Sequence, residues 1–148
     1  MSYTTDADLY RLIAERTLIQ LSADDPQAAA PDWAIVAEAR AYADAQVDAR
    51  LRQRYPLPLA SVPRELTDWS LALARRWLYE RRPDGPELPG GVRESAQEAL
   101  KALDAVRDGK MSLAIASDPS GETLATEGAR IQVIAPARVF TADLLSRY

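Results

Sequence analysis

Neither cysteine nor histidine occurs anywhere in the 148 residues. Without cysteine there is no disulfide, no thiolate nucleophile and no thiolate zinc site, a composition that suits a reducing compartment. Without histidine the commonest general base and metal ligand is also missing. Ser117, Ser120 and Ser146 therefore have no imidazole partner, and serine chemistry would need an unusual lysine base. Lysine occurs only at Lys101 and Lys110. The glycines at 85, 90 and 91 lack the spacing, lysine and hydroxyl of a phosphate-cradling loop. Asp24-Asp25, directly preceding Pro26, reads as a helix stop and solvated turn, not as a cation site. No enzymatic role is expected: no catalytic residue, no cofactor-binding residue and no metal ligand is assigned.

Long apolar runs are absent too. No window approaches the ~18 uncharged apolar residues of a membrane span, and Met1 to Asp6 contains no basic region leading into an apolar run. Neither membrane insertion nor secretion is expected. Charge is weighted to the acidic side, with 18 basic against 22 acidic residues and a net charge of −4. That balance argues against gripping DNA along its phosphates, which needs a concentrated positive field. The positive residues are nearly all arginine, whose forked guanidinium suits interface ion pairs better than lysine does.

What is present is alanine-rich helix, in a chain whose size fits one domain. Its organising stretch is residues 47 to 82, where a helix runs into Tyr55-Pro56-Leu57-Pro58-Leu59 and restarts after Val62-Pro63. Alternating prolines hold φ near −65° and push each preceding residue out of the α region. A helix arriving at Tyr55 must stop and leave along a stiff elbow, and Pro63 suits the opening of the next helix. Asp6 is placed to cap a first helix through Leu9, Leu12 and Ile13, followed by a short apolar turn from Thr17 to Leu21. Asp32 caps a helix from Trp33, whose Val36, Ala39, Ala43, Val47 and Leu51 share one face. Glu38, Asp44, Asp48 and Arg52 form its solvated side, with Asp48 and Arg52 spaced as an i,i+4 pair.

The helix over 64 to 81 is the central one. Leu66, Trp69, Leu73 and Trp77 make one stripe and Leu71, Ala74 and Leu78 a second, too wide a sector for a helix covered on one side. From Val92 a seam of Ala96, Ala99, Leu103 and Val106 runs to a stop at Asp108-Gly109. Met111 to Ala116 and Ile131 to Ile134 read as short strands flanking a turn at 118 to 121. The domains expected are a helical bundle over 1–109 and a C-terminal arm over 110–148. Core packing is expected of Trp33, Trp69 and Trp77, with interface anchoring as their other use.

Arg50, Arg52 and Arg54, with Arg75, Arg76, Arg81 and Arg82 across the elbow, interleave with Tyr55, Trp77 and Tyr79. Ion pairs within or between subunits are the preferred use, with Arg50, Arg54, Arg75 and Arg76 as inter-subunit candidates. The alternative is a small DNA-associated or regulatory module.

Taken in order, Tyr3-Thr4-Thr5-Asp6-Ala7-Asp8-Leu9, Arg54-Tyr55-Pro56-Leu57-Pro58-Leu59, Val62-Pro63-Arg64-Glu65-Leu66, Ala74-Arg75-Arg76-Trp77-Leu78-Tyr79 and Arg138-Val139-Phe140-Thr141-Ala142-Asp143-Leu144 resemble the Mu-like prophage family of small morphogenesis proteins. The polar segment 117 to 130 departs from that pattern. The resemblance implies a virion neck component similar to head-tail connector or adaptor proteins. It implies an all-α, four-helix connector-like bundle with an extended C-terminal arm containing short β segments. The partners it implies are other copies of the chain in a dodecameric ring, the portal protein, and a neck stopper or tail-completion protein. DNA would pass through the lumen only, with no membrane contact and no cofactor. The expected location is the virion neck, and the host cytoplasm during assembly. Arg138, Val139, Phe140, Leu144, Leu145 and Tyr148 are the implied docking residues toward the portal or a neighbouring subunit, and Tyr55, Pro56, Leu57, Pro58, Leu59 and Pro63 form the structural elbow.

Overall fold

A computed structural model describes residues 1–81 and 87–115. The chain divides into two compact units, Met1–Ala116 and Ser117–Tyr148. The second unit, with the expected strand at 131–134 and the docking residues 138 to 148, lies outside the described residues.

The described part is all-α. Its helices are α1 (Asp6–Leu12), α2 (Glu15–Ser22), α3 (Trp33–Leu51), α4 (Arg64–Glu80) and α5 (Gly90–Arg107). Five helices form among the described residues, one more than the four-helix bundle expected, because the segment expected as a short apolar turn over Thr17 to Leu21 is a full helix, α2; Ile13, expected within the first helix, lies between the two, extended at φ −122° and ψ 124°. Ile13 is itself buried. Residues 111 to 115, expected as a strand, contain none.

Local chemistry explains most boundaries. Thr5, one residue before the expected Asp6, caps α1. Its hydroxyl accepts from the Asp8 N–H, and the Asp8 carboxylate accepts from the Thr5 N–H at 2.9 Å, closing a capping box. A seven-residue helix is too short to stand alone, so this cap and tertiary packing hold it. Asp32 caps α3 as expected, accepting from Ala34 N at 2.9 Å. The regular helix ends at Leu51, and a last turn in which Arg54 N and Tyr55 N both donate to Leu51 O carries the chain to Tyr55, where the elbow begins. α5 ends in a Schellman motif: Lys110 N donates to Ala105 O and Gly109 N to Val106 O. Gly109 has φ +78°, the left-handed geometry that this motif demands.

The three long helices pack against one another. α1 and α2 lie against them, α1 on α4 and α2 on both α3 and α4. The expected faces are buried: Val36, Ala39, Ala43, Val47 and Leu51 of α3, and Val92, Ala96, Ala99, Leu103 and Val106 of α5. α4 buries Leu66, Leu71, Leu73, Ala74 and Leu78, in keeping with its contacts on more than one side. The tryptophans depart from expectation. Trp69 and Trp77 pack against the core but stay partly accessible, and Trp33 is 40% exposed. Small residues fill much of the contact between the long helices, and Trp69 and Trp77 lie at its margin.

Two substitutions probe this packing. Leu78→Ala should cost about 2–5 kcal/mol, read as a lower urea midpoint with an unchanged slope. Gly109→Ala should cost about 1 kcal/mol or more, since the new Cβ would sit 3.3 Å from the Arg54 guanidinium in a backbone region L-residues avoid.

Candidate functional site

No cluster of His, Cys, Asp or Glu suited to a metal occurs among the described residues. None of the helices is long and apolar enough to cross a membrane. Among the described residues, the polar groups that do converge form arginine-centred clasps and the rim of an open groove.

The first clasp holds the N-terminal lead on α3. Arg40 donates to Asp6 at 2.6 Å, to Ser2 Oγ at 3.0 Å and to the Thr4 carbonyl. The Met1 ammonium pairs with Asp48 at 3.1 Å, the Tyr3 hydroxyl donates to Asp48, and Tyr3 N donates to Asp44. Ser70 of α4 donates to Asp44 from the other side. Asp44 and Asp48, expected on a solvated face, are thus half-buried beneath residues 1 to 4, and Asp48 does not pair with Arg52. Burial pushes the Asp44 carboxyl above the usual carboxylate range, against the hydrogen bonds from Tyr3 and Ser70 that favour its charged form. Burial likewise pushes the Tyr3 hydroxyl upward, reinforced by its bond to Asp48.

The second clasp joins the ends of α3 and α5. Arg50 donates to Asp104 at 3.0 Å and to Gln46, while Arg54 donates to the carbonyls of Val106 and Met111. Asp104 also receives Arg107 at 3.1 Å. The Tyr55 hydroxyl of the elbow accepts from Leu113 N at 3.0 Å. Leu59 is buried, Leu57 packs on the core, and Pro63 precedes α4 as its cap residue. Pro56 and the cis Leu57–Pro58 peptide lie between. The third clasp is Arg81, which donates to Leu21 O, Ser22 O and Asp24 and ties the end of α4 to α2.

Sequence reasoning placed Arg50, Arg54, Arg75 and Arg76 together near the elbow. The structure separates them. Arg76 pairs along its own helix with Glu80 at 2.7 Å, Arg50 and Arg54 bind α5 and the turn beyond its C-terminus, and Arg75 has no carboxylate partner among the described residues. Its Nε is buried without a hydrogen bond.

Arg75 lines the groove. This open depression of about 480 Å³ lies between α4 and α5, floored by Leu71, Ala72 and Val92 and rimmed by Leu12, Asp68 and Ser95. Its lining is mostly apolar, and Gly91 leaves one side open. Other apolar groups are also exposed: Tyr10 sits edge-on to Trp33 at 5.5 Å between ring centres, and Tyr42, 46% exposed, lies beside Trp77. Of these, Trp33 and Trp77 carried a sequence signal, read as core before interface, whereas Tyr10 and Tyr42 carried none.

The Asp44 carboxyl, which titrates higher folded than unfolded, stabilises the fold in acid, and this contribution is lost as pH rises through the folded pKa. The stability of the native chain relative to Asp44→Asn should therefore fall as pH is raised from the ordinary carboxylate value of 3.8 toward neutrality. Urea midpoints of both proteins against pH test this, and a constant difference would contradict the assignment.

The family model described as Bacteriophage Mu, Gp36 matches residues 3–133. Gene product J of Escherichia phage Mu is 30% identical over 128 residues, a span covering 84% of this chain and 87% of that relative. With the match running from the N-terminal clasp through all five helices, the chain belongs to the Bacteriophage Mu Gp36 family and is a Mu-like phage protein.

Proposed function

We propose that the chain is a structural virion protein, a head-tail connector or adaptor that forms a ring between portal and tail in the phage neck. The observation that carries this reading is apolar surface left over after the core is complete. Tyr10, Leu12, Trp33 and Tyr42 are exposed, the groove between α4 and α5 is open, and apolar residues run around the whole circumference of α3. Membership of a phage family agrees with such a building block.

In this reading the C-terminal arm engages the portal or a neighbouring subunit through Arg138, Val139, Phe140, Leu144, Leu145 and Tyr148. Burying Phe140, Leu144 and Leu145 would contribute roughly 5–9 kcal/mol, at about 1.5–3 each, before the cost of ordering the arm. One arm binds weakly, and many on a ring bind persistently. The DNA-associated alternative loses ground because Arg50, Arg54, Arg76 and Arg81 spend their guanidinium groups inside the chain.

Deleting residues 136–148 should leave the helical circular dichroism and melting of the bundle unchanged while abolishing head-tail joining in infected cells. A normal yield of infectious particles from the deletion removes the arm from the proposal.

A further inference from the structure

The groove and α3 complement each other. Arg75 places a half-buried cation in an apolar depression, its Nε shielded from water and without an acceptor. A guanidinium so placed is a standing cost until a carboxylate reaches it. Small groups, Ala72, Gly91 and Ser95, line part of the groove beside Leu71 and Val92, and they admit a closely approaching backbone there. A helix coated with alanine can make that approach.

The chain carries such a helix face. On α3, Ala34, Ala37, Ala41, Ala45 and Ala49 are all exposed, on the side turned away from the buried Val36–Leu51 face. Successive residues turn by about 100°, so Glu38 falls among these alanines with Arg52 one end further on. Glu38 makes no ion pair or hydrogen bond among the described residues, and it is the carboxylate that this face offers. An unpaired cation in an apolar groove and an unpaired anion on a flat apolar helix are opposite halves of one contact.

We propose that the groove between α4 and α5 receives the outward face of α3 from a second copy of this chain, with Glu38 of the incoming helix meeting Arg75. Because α3 turns this face away from α4 and α5, one chain cannot satisfy its own groove with it. The contact is heterologous, so every copy offers one free face and one free groove, and repetition closes a ring or runs on as a filament. The proposal deepens the ring-building reading, on which it rests, by assigning the two surfaces.

The absence of native cysteine makes the test clean. Full-length chains carrying Ala41→Cys are mixed with full-length chains carrying Ser95→Cys and treated with a short bismaleimide. The mixture should give covalent heterodimers well above the dimers formed by either variant alone. Adding Arg75→Glu to the Ser95→Cys partner should lower the heterodimer yield about tenfold or more, and adding Glu38→Arg to the other partner should restore it. Helical circular dichroism of each variant confirms that it is folded. Ala41→Cys homodimers in excess would show two-fold pairing of α3 with itself and overturn the proposal. No cross-link, or a yield indifferent to both charge reversals, would overturn it too. Each of these results leaves the adaptor reading to stand or fall on head-tail joining in infected cells, which the cross-link does not measure.

Discussion

Close approach of α3, α4 and α5 is the constraint on which the rest depends. Ala39 and Ala43 of α3, Ser70 and Ala74 of α4, and Ala96 and Ala99 of α5 are all buried where the three helices meet. Residues this small bring backbones near the lower end of the usual range of about 8–10 Å between helix axes, and the leucines and valines of each helix then fill the remaining space. The indoles lie at the margin of this core, Trp69 and Trp77 packed against it and Trp33 exposed, so apolar surface is left facing the exterior.

The helix ends explain how the arginines are used. Three long helices leave ends that must be tied, and guanidinium groups tie them by reaching backbone carbonyls as well as carboxylates. Arg81 caps carbonyls at the end of α2, and Arg54 does so at the end of α5. Each fork satisfies acceptors that a helix terminus leaves open, where a lysine would supply a less directional charge. Arg50, Arg54 and Arg81, members of a charge cluster that looks like a nucleic-acid footprint along the sequence, are therefore spent on holding the bundle together. Arg75 departs from this pattern, and it lies where the bundle presents an apolar groove.

Much of the architecture was legible from the residues. The apolar faces of α3 and α5 follow from steps of three and four, the Asp32 cap from its place before Trp33, and the α5 stop from Asp108-Gly109. The candidate surfaces were less legible. Asp44 and Asp48 sit at helix positions that read as solvated, and only the N-terminal lead folding across α3 makes them the acceptors for Tyr3 and Met1. Exposure of Trp33 was equally hidden, because burial of an aromatic depends on how wide the neighbouring elements leave the interior.

By itself the sequence determined that the segments of α1, α3, α4 and α5 are helical, where proline and glycine end the longer ones, and that no cysteine or histidine chemistry is available, since all of these rest on local backbone geometry or composition. Tertiary structure decided that the short apolar segment after Ile13 forms the helix α2, the partners chosen by Arg50, Arg54 and Arg81, and the joining of α4 and α5 into a groove around Arg75. These outcomes depend on residues far apart in the chain, and periodicity along one helix carries no information about what crosses it.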